Sequence, residues 1–215
     1  TLEMGTMKVG DHFLNVIGPL GTASHIEGGK NVIFVGGGVG IPPVYPIARA
    51  FKEAGSKVIS IIGARSKDLL IFEDRMKAVS HELIVTTDDG SYGRKGLVTQ
   101  PLKEILEKRK DIDLVVAIGP AIMMKFTALT TKPFGVKTIV SLNSVMVDGT
   151  GMCGACRVDV GGKTKFACVD GPDFDGHQVD FDLLMARQNM YREQERIAVE
   201  FYKSSCACKE AGKNV

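Results

Sequence analysis

The chain has 215 residues, 44% of them hydrophobic and 24% charged, and 27 Lys and Arg against 25 Asp and Glu leave a net charge of +2. That balance suits a folded soluble protein with room for one large or two small domains, and it gives no reason to expect nucleic acid or a membrane surface as a partner. No apolar run approaches the roughly 20 residues that span a bilayer. Five cysteines, an odd count, with no secretory signal argue against a disulfide framework and for a reducing, cytoplasmic setting.

Residues 1–28 hold Gly10-Asp11, a short apolar run Phe13–Ile17 and Gly18-Pro19-Leu20-Gly21, which reads as the last strand and exit of a β-barrel. The chain opens on Thr1 at what reads as the end of an element, so a piece of a longer protein is expected. Residues 29–141 alternate short apolar runs with helical segments. The expected strands are Asn31–Val35, Lys57–Ile62, Glu82–Thr86, Leu114–Ile118 and Lys137–Ser141. The expected helices are Val44–Ala54, Leu69–Ser80, Val98–Lys108 and Ala121–Thr130. Continuous β-branched runs between helices predict an α/β domain, a five-stranded parallel sheet covered on both faces.

Residues 142–215 depart from that repeat. Gly161-Gly162 predicts a hairpin between Arg157–Val160 and Thr164–Ala167, and a polar helix is expected from Asp180 to Tyr202 with apolar Phe181, Leu184, Ile197 and Phe201. That helix suits packing on its own domain and docking on a partner subunit equally. Cys206 and Cys208 read as thiols of a terminal tail, and His177 as a surface or structural residue.

Gly36-Gly37-Gly38-Val39-Gly40-Ile41-Pro42-Pro43 lies between the first strand and the first helix. A turn there offers backbone N–H groups and the positive end of a helix dipole to a pyrophosphate. The G-x-G-x-x-G fingerprint is not met, because Ile41 stands where the third glycine falls, so a tight turn without a ligand stays open. Gly119, Pro120 and Met123 follow the fourth expected strand and should face the same crevice. Arg65, Ser66 and Lys67 suit a 2′-phosphate, whereas Asp68 suits an unphosphorylated ribose, so NAD and NADP both remain open. Asp88, at the end of the third expected strand, reads equally as a ligand contact and as part of an Asx-rich turn.

Asp148, Cys153, Cys156 and Cys168 give D-x4-C-x2-C-x11-C. This is the plant-type [2Fe-2S] spacing with aspartate in place of the first cysteine. Gly149, Gly151 and Gly154 would let a loop wrap tightly around a cluster, and a carboxylate can replace a thiolate as a harder donor. Zinc and unligated buried thiols are the alternatives; against zinc, only one C-x2-C knuckle is present.

These stretches, from Gly18-Pro19-Leu20-Gly21 through Gly36–Pro43, Gly63-Ala64-Arg65, Asp88–Ser91 and Gly119-Pro120, resemble the ferredoxin–NADP reductase superfamily. With the segment from Ser141 through the cysteine loop to His177, the match narrows to the small subunits of NADH-dependent reduced ferredoxin:NADP oxidoreductases, also called sulfide dehydrogenases. The related electron-transfer subunit of dihydroorotate dehydrogenase normally uses four cysteines, so Asp148 favours the first group. The resemblance implies a chain that passes electrons between NAD(P)H, FAD and a [2Fe-2S] cluster to or from a larger partner subunit, with ferredoxin reached through the complex. It implies FAD in the full-length protein. The Arg-x-Tyr-Ser/Thr motif that binds FAD is absent from these residues, and the fragment alone is expected to be inactive. Ile118 stands before Gly119-Pro120 where many members place a cysteine; hydride transfer is the cofactors' chemistry and does not require one. The alternative from another class is a zinc-stabilised regulatory module that only binds nucleotide.

Overall fold

A computed structural model describes Leu2 and residues 4–204. Cys206 and Cys208 lie outside the described residues. All five expected strands form, and each runs about as far as its apolar stretch: β1 Asn31–Gly37, β2 Lys57–Ala64, β3 Glu82–Thr87, β5 Leu114–Ile118 and β6 Lys137–Ser141. They pair in parallel. Two short edge strands extend the sheet, β4 Arg94–Lys95 and β9 Asp173–Asp175, to give the order β4-β3-β2-β1-β5-β6-β9. The sheet therefore has seven strands where five were expected, and β9 alone runs antiparallel. Neither edge strand carries an apolar run; pairing with a neighbour makes them strands.

Alternation of side chains sends Ile33, Val35, Ile59, Ile61, Val115 and Ala117 to one face and Val32, Phe34, Val58, Ile62 and Val116 to the other. The first face packs on α3 Thr99–Lys108, α4 Ala121–Thr131 and α5 Phe181–Gln188. The second packs on α1 Ile41–Glu53 and α2 Glu73–Val79. Phe34 and Phe51 meet edge to face there, with ring centroids 5.7 Å apart. Full burial of a side chain of that size is worth about 1.5–3 kcal/mol.

Helix starts account for most of the local differences. α1 begins at Ile41, earlier than Val44, because Pro42 and Pro43 sit in the first turn, where a missing N–H costs nothing. α2 is shorter than the expected Leu69–Ser80: Lys67–Leu69 makes one 3-10 turn, and Phe72 adopts φ +63° just before the helix. Phe72 is held by Tyr45, 6.1 Å away in a T-shaped contact, and by the Arg75 guanidinium over its ring. The single helix expected over Asp180–Tyr202 divides into α5, capped by the Asp180 carboxylate on the Leu183 amide, and α6 Arg192–Ser204. α5 buries Phe181 and Leu184, whereas α6 buries nothing among the described residues, so the apolar stripe does not continue across Asn189–Tyr191.

The expected hairpin forms, with its second strand one residue earlier than Thr164–Ala167: β7 Arg157–Val160 pairs with β8 Lys163–Phe166. Before Asn31 there is no strand among the described residues, so the strand expected over Phe13–Ile17 does not form in this structure. A strand needs a neighbour for its backbone groups, and among the described residues none pairs with this run; Leu14 and Val16 are almost fully exposed. The segment is tied down from Thr22 onward. The Thr22 amide donates to the Gly171 carbonyl, its hydroxyl to Val169 O, and the Ser24 hydroxyl to Asp173 at 2.6 Å. No described helix is long and apolar enough to cross a membrane.

Candidate functional site

Strand order reverses between β1 and β5: β1 leads to β2 on one side, while β5 and β6 lie on the other. In an open α/β sheet the crevice beyond the carboxyl ends of those two strands is where ligands bind. Gly36–Gly40 leaves β1 at that point and Gly119-Pro120 leaves β5 beside it, so the two expected turns meet. The fit is close. A Cβ on Gly37 would stand 2.5 Å from the Met123 sulfur, and one on Gly40 would overlap the end of β5, with Gly119 Cα at 2.6 Å. Gly38 differs: its φ is +54°, and a Cβ there would meet nothing within 4 Å. Val39 beside it is exposed. The crest of the turn is thus open, and its flanks are closed by packing.

The same proline pair that starts α1 removes two of the first N–H groups of the helix. Amides for an anion must therefore come from the Gly-rich turn itself more than from the helix end. Arg65, Lys67 and Asp68 are exposed after β2, with Ser66 half-buried. This loop is stitched to the loop after β3: the Lys67 amide donates to the Ser91 hydroxyl, the Asp89 amide to Arg65 O, and the Asp88 amide to Ala64 O. Lys67 Nζ lies over the Tyr92 ring, whose hydroxyl bonds Glu73. Asp89 accepts from the Ser91 hydroxyl and amide, and these bonds hold its carboxyl below the usual carboxylate range. Asp88 is exposed at the same rim.

The cysteine loop sits at the far edge of the sheet, between β6 and β7. Gly149, Gly151 and Gly154 all have positive φ, which lets the chain fold back on itself within a few residues. Cys156 and Cys168 are buried with their sulfurs 3.2 Å apart, and the neighbouring Cys156 thiol raises Cys168 above its ordinary range. Two thiolates on one tetrahedral metal stand roughly 3.7 Å apart at bond lengths of about 2.3 Å, so this pair is near the spacing needed. Cys153 is exposed, and its sulfur accepts from the Ala155 amide. Asp148 accepts from the Thr150 amide at 2.9 Å and the Cys153 amide at 3.0 Å, which hold its carboxyl low. Among the described residues no three ligating side chains converge on one point. The structure therefore brings Cys156 and Cys168 together and keeps Cys153 and Asp148 on the same loop, bonded to each other through the backbone. A carboxylate and two thiols on a glycine-rich loop, with a third thiol brought in by Cys168 after β8, fit an iron–sulfur cluster in donor chemistry.

A cavity of about 380 Å³ lies against this loop, lined by Ser144, Cys153, Ala155, Arg157, Arg187 and Tyr191 among others. Arg157 and Arg187 on this wall are not among the residues the sequence pattern points to. Arg157 directly follows Cys156 but belongs to no ligand spacing, and Arg187 carries no local signal because α5 reaches the loop only through tertiary packing. His177 bonds Thr131, in a buried chain with Thr138, and serves the structure as expected.

Residues 34–128 match the oxidoreductase NAD-binding domain family, and residues 143–180 match the iron–sulfur cluster binding domain of dihydroorotate dehydrogenase B. The chain is 55% identical, over 93% of its length and 70% of the relative's, to a dihydroorotate dehydrogenase B (NAD(+)) electron transfer subunit homologue of Thermotoga maritima. A probable subunit of the same name from Methanocaldococcus jannaschii is 39% identical over 84% of this chain and 68% of its own. A solved structure of NADH-dependent reduced ferredoxin-NADP oxidoreductase superposes with a TM-score of 0.86 at 51% identity, covering 94% of this chain and 72% of that one. With the switch-point crevice and the cysteine loop both in place, this chain belongs to the family of dihydroorotate dehydrogenase B electron-transfer subunits and their homologues, oxidoreductase subunits with an NAD-binding and an iron–sulfur domain.

Proposed function

We propose that the chain carries electrons between NAD(P)H and a larger oxidoreductase subunit, in an assembly of the ferredoxin:NAD(P) oxidoreductase or sulfide dehydrogenase type. The supporting observation is that the switch-point crevice and the paired thiols Cys156 and Cys168 belong to one packed unit, since β9 from the cysteine-loop region pairs with β6 of the nucleotide-binding sheet. Three functional parts follow: 1–28 as the exit of an FAD-binding barrel, 29–141 for nucleotide, and 142–215 for the cluster.

Amides of Gly36, Gly37, Gly38, Val39 and Gly40 receive the pyrophosphate, with room provided at the open Gly38 crest. Gly119, Pro120 and Met123 wall the nicotinamide end, while Arg65, Ser66, Asp68 and Asp88 face the adenosine ribose. Asp68 inclines the site to NAD, because its carboxylate repels a 2′-phosphate. Asp148, Cys153, Cys156 and Cys168 hold the cluster. When bound, FAD in the full-length protein divides a hydride's two electrons, and a [2Fe-2S] cluster takes and gives them singly. The described cysteines are free thiols, which suits a reducing compartment, and we assign the protein to the cytoplasm.

Asp148 is the residue on which the ligand set turns. In full-length protein purified without oxygen, Asp148→Cys should keep the cluster but move its potential and its electron paramagnetic resonance signal, and Asp148→Ala should impair assembly. Unaltered spectra and potentials in both variants would place the fourth ligand elsewhere.

A further inference from the structure

The cavity beside the cysteine loop has a charge pattern that the ligand set does not explain. Arg187, on α5, is half-buried and donates from Nη2 to the Ala155 carbonyl at 3.2 Å, in the middle of the Cys153–Cys156 turn. Arg157, the first residue of β7, lays its guanidinium against Gly154: a Cβ built there would stand 2.8 Å from Nη1. Among the described residues neither guanidinium has a carboxylate within 4 Å. Lys125 nearby differs, because it bonds Asp182 on α5.

A half-buried guanidinium without a counter-charge is costly unless something nearby supplies negative charge. Its contact with a backbone carbonyl satisfies one N–H and leaves the charge uncompensated. The next residue, Gln188, reinforces the contact by donating from Nε2 to both the backbone and side-chain oxygens of Asn143. Two consecutive residues of α5 thus grip the loop at Asn143 and at Ala155, on either side of Asp148 and Cys153.

On the functional reading above, we propose that Arg187 is a positioning residue for the iron–sulfur cluster, with Arg157 as its electrostatic partner. Through Ala155 it fixes the turn between two ligating cysteines, and with Arg157 it supplies positive charge beside a group whose negative charge grows by one on reduction. A nearby cation stabilises the more negative state, so the pair holds the reduction potential higher than the loop alone would. The guanidinium carries charge and donates to the Ala155 carbonyl from a rigid planar group, whereas a lysine ammonium keeps the charge on a shorter, flexible stem that does not fix the same donor position.

The test uses the full-length protein purified anaerobically and titrated with dithionite, followed by electron paramagnetic resonance. In Arg187→Met the midpoint potential should move to more negative values, and the g values should shift as the Ala155 contact is lost. Arg187→Lys should recover most of the potential but not the g values. Arg49→Met, on the outer face of α1, should change neither. Loss of the cluster from Arg187→Met with retention in Arg187→Lys also supports the proposal. A wild-type cluster whose potential and g values persist in both Arg187 variants overturns it alone. A wild-type protein with no cluster overturns the functional reading beneath it.

Discussion

A pair of glycine substitutions separates the architecture of the nucleotide crevice from its use. At Gly40 the backbone is ordinary helical, φ −77°, so a methyl group there costs no conformational strain. It would, however, enter the end of β5, within 2.6 Å of Gly119 Cα, where backbone cannot move aside cheaply. Overpacking of this kind costs about 1–3 kcal/mol, so Gly40→Ala should lower the denaturation midpoint markedly. At Gly38 the geometry is opposite. The added methyl meets open space, and the cost is that of a left-handed non-glycine residue, about 1–2 kcal/mol. On the proposed assignment its effect should fall on the ligand, because the methyl would stand in the open space at the crest where the pyrophosphate is placed. Gly38→Ala is therefore expected to weaken NADH at least tenfold, about 1.4 kcal/mol, while the protein remains folded. Urea denaturation and isothermal calorimetry on both variants supply the two axes. Unchanged NADH affinity in Gly38→Ala would mean that the loop is only a turn. Equal stability of Gly40→Ala and the wild type would refute the steric argument.

Two further outcomes rest on the rim of the same crevice. Asp68→Ala should relax discrimination against NADP, measured as the ratio of the two dissociation constants. A wild type that already prefers NADP by tenfold, about 1.4 kcal/mol, contradicts the assignment to NAD. Asp89 has a lowered carboxyl because Ser91 bonds its charged form, so the turn it orders keeps its full stability above the ordinary aspartate range of about 3.9 and loses it as pH falls through the lowered value. The Ser91 amide resonance, followed by nuclear magnetic resonance through acid, should titrate below that range; a midpoint at or above it removes the bond from the account.

The parts of this fold that were legible are those encoded by neighbours in the chain. Asn31–Gly37 and Leu114–Ile118 are β-branched runs long enough to be strands and too apolar to be anything but buried, and Gly161-Gly162 specifies its hairpin through φ values of +62° and +72°. Where structure depends on distant partners, the signal vanishes. Arg94-Lys95 is a strand because Thr86 and Thr87 lie beside it, and Asp173–Asp175 because β6 does. The converse holds for Phe13–Ile17, which has an apolar stretch but no pairing neighbour among the described residues. The candidate site divides in the same way. Gly36–Gly40 and the cysteine spacing are local patterns, whereas the bond from Lys67 to Ser91 spans 24 positions and that from Arg187 to Ala155 spans 32. No spacing rule reaches that far. The C-x2-C pattern also conceals an asymmetry: Cys156 is buried against Cys168, while Cys153 stays exposed beside the Asp148 carboxylate.

Metal content decides the central claim most directly. Full-length protein isolated without oxygen should contain iron and acid-labile sulfide in equal amounts, be red-brown, bleach on addition of dithionite and then show a reduced [2Fe-2S] resonance. A protein containing zinc in place of iron, or one with no bound metal, would contradict the assignment of Asp148, Cys153, Cys156 and Cys168 as an electron-carrying centre.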